Sequence, residues 1–354
     1  MHILALTRYG SLAPSSRIRF YQYIPYLASC GLNIKVAPLL DDDYIRCLYS
    51  RKRPSISSAV VSYFNRIVGL TDRRSFDLLW IEKELFPWLP AWAERVLAGL
   101  RVPYVVDYDD AVFHRYDQHR NPMVRALLGE KIDAVMRSAS AVVVGNDYLA
   151  GRARLAGARR IEYLPSVVDI KRYSIGRNAD PRFRIGWIGS PITAPFVGLI
   201  REALEEACQK IQARLVLVGA GDQDPLPGIK KEVLPWSENN EVAHIQSFDV
   251  GIMPLQDGPF ERGKCGYKII QYMACGLPVV ASPVGVNTRI VEHRKTGFLA
   301  SNSTEWVQAL LTLSKDSKMR SDFGKAGRRK AEQEYSLQVT APRLLEILTN
   351  AASR

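Results

Sequence analysis

GKCGYKIIQYMACGLPVVASPVG, residues 263–285, decides how this chain is read. It runs as a glycine-punctuated loop, an amphipathic helix, a glycine stop, a buried strand and a second glycine loop. Gly263 and Gly266 let backbone N–H groups approach a ligand, and the helix from about Tyr267 to Ala274 begins there. A helix N-terminus offers unpaired donors and a partial positive charge, which suits a phosphate. Lys264 and Lys268 add full charges, and Gln271 lies one turn beyond Lys268. Gly276 can take the left-handed cap conformation, and Leu277-Pro278 ends the helix. Val279-Val280-Ala281 is short and apolar, as a parallel strand buried on both faces should be.

Outward from this stretch, strands alternate with helical segments, which predicts parallel sheets covered by helices. The first half reads as strands at His2–Leu6, Asn33–Ala37, Leu78–Ile81, Tyr104–Asp107 and Ala141–Val144, with Ile161–Leu164 leading into a connector. A helix is expected from about Ser16 to Cys30. Pro165-Ser166-Val167-Val168-Asp169 lacks periodicity and reads as a linker, dividing the chain into 1–167 and 168–335. The second half restarts with strands at Arg184–Ile188, Leu215–Val218, Val250–Pro254 and Val279–Ala281, with a helix at Phe196–Ile211. Helical spacing returns from about Leu337 to Leu348. Gly219-x-Gly221 alone is a weak dinucleotide signal, because the third glycine is absent.

Gln271-Tyr272-Met273-Ala274-Cys275-Gly276-Leu277-Pro278-Val279-Val280 resembles the signature of glycosyltransferase family 4. That pattern is a Glu, a short Phe-Gly loop, then Glu-Ala-Met-Ala-x-Gly-x-Pro-Val-Val. The resemblance implies the α/β GT-B fold, two Rossmann-like, doubly wound parallel-sheet domains facing a cleft. It also implies a terminal segment, about 336–354, that crosses back to the first domain, and transfer with retention. Ligands of open parallel sheets bind beyond the carboxyl ends of strands. Two such sheets face to face would gather Gly10-Ser11, Gly189-Ser190 and Gly263–Gly266 around one cleft.

Two departures from the family are visible. The basic pair expected after the first strand of the second domain is missing, since residues 185–200 hold no Lys or Arg. Lys264 and Lys268 are the substitutes, with Lys264 favoured for its loop position. Spacing puts Gly263 where the first family glutamate is expected and Gln271 at the second. Gln271 can still hydrogen-bond a ribose hydroxyl. Expected donor contacts are therefore Gly10, Ser190, Gly219, Gly263, Gly266, Tyr267, Lys268 and Gln271.

Asp107-Tyr108-Asp109-Asp110 follows a strand directly, with His114 beyond. Asp107-x-Asp109 resembles the metal motif of GT-A enzymes, but that fold needs one mixed sheet; the expectation is no metal and no cofactor besides the donor. Lys264, Asp109 and Asp110 are the catalytic candidates, with Asp109 or Asp110 holding hydroxyls or acting as base. Capping of the next helix is the plainer role for Asp110, as is a surface position for His114. Arg17, Glu84 and His114 are the acceptor-side candidates; Arg17 and Arg19 could pair with a phosphate or form a solvated helix face.

At 354 residues the chain accommodates two cores, and no apolar run approaches the ~20 residues needed to span a bilayer. MHILALTRYG reads as a first strand entering a glycine loop, not as a leader. Five cysteines without a CxxC pair predict a reduced, cytoplasmic protein without structural zinc. The net charge of +12 divides evenly, a surplus of six in residues 1–169 and six beyond. This excludes a basic nucleic-acid tail and points to a diphosphate substrate and anionic lipid. Arg51-Lys52-Arg53 precedes the helix-spaced stripe Ile56, Val60, Phe64, Ile67 and Val68, with Arg66, Arg73 and Arg74 close behind. That pattern fits a peripheral helix on anionic lipid, or a helix packed on its own domain. Trp88 and Trp92 are open to the same two readings.

The leading expectation is sugar transfer from a nucleotide diphosphate sugar to a hydroxyl of a glycan or lipid-linked acceptor, in cell-surface polysaccharide or lipid-linked glycan synthesis. A sugar-nucleotide epimerase on the same fold and a non-catalytic nucleotide-sugar-binding subunit are the alternatives.

Overall fold

The computed structural model describes every residue except 51, 53–55, 73, 74, 177–179, 223 and 354. It divides into two compact units. The first comprises Met1–Ser166, Arg262–Cys265 and Thr340–Arg354; the second comprises Val167–Glu261 and Gly266–Val339. The first boundary falls within the Pro165–Asp169 connector. The returning segment joins the first unit from Thr340 rather than from 336, and Arg262 with the first three residues of the signature loop groups with the first unit as well.

The first unit contains strands β1 (His2–Leu6), β2 (Asn33–Val36), β3 (Leu78–Glu82), β4 (Tyr104–Tyr108), β5 (Ala141–Val144) and β6 (Ile161–Tyr163). They form one parallel sheet in the order β2-β1-β3-β4-β5-β6. The central strands are buried on both faces, so LLWIE, YVVDY and AVVV read as continuous rather than alternating apolar runs. Phe20 stacks on Trp80 with ring centroids 4.1 Å apart, fixing the first helical layer on β3.

The second unit contains β7 (Arg184–Ile188), β8 (Arg214–Val218), β9 (Lys231–Leu234), β10 (Val250–Met253), β11 (Val279–Ala281) and β12 (Gly297–Leu299). All pairs are again parallel, in the order β12-β11-β10-β7-β8-β9. Alternation along β8 divides its side chains between two cores. Leu215 and Leu217 pack with Trp187, Ile252 and Trp306, whereas Val216 and Val218 pack with Ile269, Ile270 and Met273.

Chain reversal relative to strand order occurs between β1 and β3 in the first sheet and between β7 and β10 in the second. In doubly wound sheets these switch points open crevices at the strands' carboxyl ends, where ligands bind.

Edge strand β6, in a stretch the sequence left unassigned, and edge strands β9 and β12 are absent from the sequence reading. KEVL mixes charge with its apolar residues and GFL has only three residues, so neither carries a strand pattern. The single helix expected at 16–30 is three pieces: Pro14–Arg19, a tight turn at Tyr21–Tyr23 and Ile24–Ser29. Pro25, which cannot donate a helical hydrogen bond, sits at the third piece's first turn. Likewise Ala194–Ile200 is a 3-10 segment ahead of the helix Arg201–Ile211. Among the described residues no helix is long and apolar enough to cross a membrane.

Candidate active site

The β1/β3 switch point of the first unit carries a dense set of charges. Glu82 ends β3, and its Oε2 accepts from the Arg8 backbone N–H at 2.8 Å and from Ser16 Oγ at 2.7 Å. It thereby joins the loop after β1 to the first helix. Lys83 follows with φ 65°, a left-handed conformation that non-glycine residues rarely adopt. This turn sends its ammonium to 2.8 Å from Asp109 Oδ1 and 3.8 Å from Asp110 Oδ2, and Nζ also donates to Ser15 Oγ at 2.9 Å. Ser15 Oγ in turn donates to Asp109 Oδ2 at 2.5 Å.

Burial alone would raise the Asp109 carboxyl, but Lys83 and the Ser15 hydroxyl override it and hold it at about 2. Burial would lower the Lys83 ammonium, and Asp109 and Asp110 reverse that, so it stays charged. Asp109 is a fixed anion with both oxygens engaged, which positions Lys83 and Ser15 and does not suit taking a proton. Asp110 is more open; its Oδ1 lies 3.4 Å from Lys264 Nζ, and it faces two lysines rather than capping the next helix. That helix, His114–Asp117, has no side-chain cap.

Lys264 reaches this cluster because Arg262–Cys265 is held by the first unit. Asn146 Nδ2 donates to the carbonyls of Gly263 and Lys264 at 2.8 and 3.0 Å. Cys265 Sγ donates to the Asp109 carbonyl at 3.2 Å. Gly263 has a packing reason that the sequence did not show: a Cβ there would lie 2.5 Å from Ala111 Cβ and 2.6 Å from its nitrogen. The position expected to hold the first family glutamate admits no side chain.

Several expectations are corrected by what the side chains touch. Glu84 is fully buried, accepts from Tyr116 Oη at 2.9 Å, and pairs with Lys131 and, at 3.4 Å, with Arg8. It is saturated internally and cannot meet an acceptor. Arg19 is buried against Asp107, at 2.7 and 3.1 Å, and also donates to the Leu164 carbonyl. Burial would lower that guanidinium, yet Asp107 reverses the effect and keeps it a cation. Asp107 thus faces Arg19 while Asp109 faces Lys83, and the two carboxylates serve separate cations. Arg17 donates to the carbonyls of Ser11 and Leu12, so it braces the loop after β1. Gly10 lies in that loop because a Cβ would come within 2.3 Å of Asp42 Oδ1. His114 is no bare surface histidine: its ring nitrogens lie 2.8 Å from Asp117 Oδ1 and 2.7 Å from Tyr148 Oη.

In the second unit, three backbone features meet at the carboxyl ends of β7 and β8 and at the signature helix. Gly219, with φ 75°, lies so close to the Gly189 carbonyl that a Cβ would sit 2.3 Å from its oxygen. A Cβ on Gly189 would meet the Trp187 ring at 2.4 Å and Lys268 Cε at 2.8 Å. Lys268 Nζ lies 5.6 Å from the Trp187 ring centroid. The signature helix spans Tyr267–Ala274, as its sequence predicts, with Gly266 as N-cap at φ 65°. Ser190 Oγ and Thr193 Oγ1 are 3.5 Å apart, and the Ser190 N–H donates to Thr193 Oγ1.

Gln271 is buried, and its Nε2 donates to Tyr173 Oη at 2.9 Å and to Glu241 Oε2 at 3.4 Å. Tyr173 Oη donates to Glu241 Oε1, Trp236 Nε1 donates to Oε2, and Tyr267 Oη lies 3.4 Å from Tyr173 Oη. The glutamine's amide therefore serves an internal network, where the sequence reading put a ribose contact. A second carboxylate beside Glu241 would be repelled, which accounts for glutamine at this position. Tyr173, Glu241 and Trp236 come from distant stretches, and no local signal marks them. Lys83 and Ser15 were legible only as residues next to a strand end or helix start.

Residues 182–316 match the family model for Glycosyl transferases group 1. A segment is 31% identical over 129 residues to D-inositol 3-phosphate glycosyltransferase of Paenarthrobacter aurescens, covering 36% of this chain and 28% of that protein. Phosphatidyl-myo-inositol mannosyltransferase of Mycobacterium leprae is 23% identical, over 78% of this chain and 74% of its own length. The first of these matches thus spans under a third of its relative. The solved structure of Anabaena Alr3699/HepE in complex with UDP superposes with TM-score 0.73 at 17% identity, covering 99% of this chain and all of that one. Sucrose-phosphate synthase from Thermosynechococcus elongatus gives TM-score 0.73 at 14% identity, covering 99% and 98%. The fold is GT-B.

Proposed function

We propose that this chain is a glycosyltransferase that moves a sugar from a nucleotide diphosphate sugar to a hydroxyl acceptor, with retention. The observation that carries the reading is the second unit's edge. Gly189, Gly219 and the Gly266-capped helix bring side-chain-free backbone and Lys268 together beyond the switch-point strands, inside the segment matching the glycosyltransferase model. A diphosphate needs such a place: helix N-terminal donors and a cation offset the charge that develops on the leaving group.

Within the second unit Lys268 is the side chain proposed to hold that charge. It borders Gly189, whereas Lys264 groups with the first unit and faces Asp110. On the first unit, Asp110, the Asp109–Lys83–Ser15 cluster and His114 are the proposed acceptor side. The chemistry is proposed to need no metal. Similarity to an inositol phosphate glycosyltransferase and to a phosphatidyl-inositol mannosyltransferase supports a phosphorylated or lipid-linked acceptor, in cell-surface glycan or glycolipid synthesis. The Anabaena structure's UDP supports a uridine or related nucleotide donor.

A thermal-shift screen against nucleoside diphosphates and their sugars tests this. One nucleotide at a hundred times its Kd should stabilise the protein by about 2.7 kcal/mol. No shift with any nucleotide would remove the donor reading.

A further inference from the structure

We infer that an exposed apolar face of the first unit, built on helix Ile56–Thr71, docks on an anionic lipid surface. Val60, Val61, Phe64, Ile67 and Val68 are 41–64% exposed. At 100° per residue they occupy an arc of about 120° on one side of the helix, over about 12 Å of its length. Ser58, Asn65 and Gly69 border this arc. The helix itself contains no acidic residue.

Arg66 and Tyr63 hold it to the domain. Arg66, which the sequence placed with the exposed basic residues, is buried and donates to the carbonyls of Thr7, Ala37 and Leu85. Tyr63 Oη donates to the Pro87 carbonyl. Arg66 thus pins the helix while its apolar arc faces outward.

A second group of exposed apolar residues is tied to the helix through a buried ring, Phe86. Tyr63 packs on Phe86 with centroids 5.7 Å apart, and Phe86 stacks on Trp92 at 6.0 Å. Trp88, Trp92 and Val96 are each about half exposed, and Arg95 stands exposed between the last two. Half-exposed indoles beside basic side chains suit the boundary between headgroups and acyl chains.

Charge selects the occupant. Residues 51–74 hold six basic residues against one acidic residue, Asp72. With Arg66 buried, Arg51, Lys52 and Arg53 precede the helix and Arg73 and Arg74 follow it; Lys52 is exposed, and the other four lie outside the described residues. A second copy of this chain would bring two such basic stretches of sequence together, whereas anionic headgroups complement them.

The test is flotation of the full chain with phosphatidylcholine vesicles, with and without phosphatidylglycerol. The variants are Phe64→Ser/Val68→Ser and Arg51→Ser/Lys52→Ser/Arg53→Ser, with melting curves to verify folding. The parent should bind the anionic vesicles and be released by salt. The charge variant should bind on the order of 100-fold more weakly, at about 1 kcal/mol per residue, and the apolar variant should also lose binding. Absence of parent binding, or equal binding by folded variants, overturns the proposal. So does a parent dimer that Phe64→Ser/Val68→Ser dissolves, which would assign the face to self-association. No donor or acceptor is present, so failure here leaves the transfer reading untouched.

Discussion

Lys83 Nζ lies 2.8 Å from Asp109 Oδ1, and the lysine holds a left-handed backbone, φ 65°, to reach it. The pair makes stability depend on acid in a defined way. The Asp109 carboxyl is held at about 2 in the folded chain, against an ordinary value of 3.8. Its contribution is complete above about pH 5 and is lost as pH falls through 4 toward 2, a difference of about 2 kcal/mol. Urea midpoints measured from pH 6 to 2 should fall through that window. Asp109→Asn should be less stable at pH 7, because Lys83 loses its nearest counterion, and flatter below pH 4. An unchanged acid slope in Asp109→Asn would contradict the pairing.

Gly263→Ala should destabilise the fold, because the new methyl meets Ala111 Cβ and nitrogen within 2.6 Å. Overpacking of this kind costs about 1–3 kcal/mol. Denaturant melts would show it without any ligand. A variant as stable as the parent but unable to bind nucleotide would return Gly263 to the ligand-approach role suggested by its sequence.

Gln271→Glu restores the family's charge but sets a second carboxylate beside Glu241, 3.4 Å from the present amide nitrogen. The variant should melt lower at pH 8 and recover toward pH 5, where one of the two can be protonated. Equal melting temperatures across that range would show that the network tolerates the charge.

Lys268→Ala should lower kcat/KM by on the order of 100-fold, about 3 kcal/mol, as expected for removing one preorganised counterion. Lys264→Ala is the matched comparison. A larger loss there, in folded protein, would return the leaving-group role to the loop lysine. Chelator should leave turnover intact in the parent; loss restored by Mn²⁺ or Mg²⁺ would contradict a lysine-and-dipole site.

Most of the architecture was legible because both sheets are parallel and buried, so Leu78–Ile81, Tyr104–Asp107 and Ala141–Val144 announce themselves as apolar runs. The edge strands Lys231–Leu234 and Gly297–Leu299 bury less and carry no such mark. Site positions were harder. Sequence places a residue at a strand end, but partners decide whether its side chain is available. Glu84 and Gln271 stand at plausible positions and are consumed by Lys131 and Tyr116, and by Tyr173 and Glu241. Those partners lie 30 or more residues away in sequence, beyond any local pattern.

Release of nucleoside diphosphate from a panel of nucleotide sugars, with a membrane and glycan extract as acceptor source, separates sugar transfer from its alternatives. Transfer predicts release from one donor, dependent on the extract and carrying its sugar into the acceptor with the anomeric configuration retained. Nucleotide binding without release from any donor would mark a non-catalytic subunit, and an isomerised sugar formed without acceptor would mark an epimerase; either result contradicts the account.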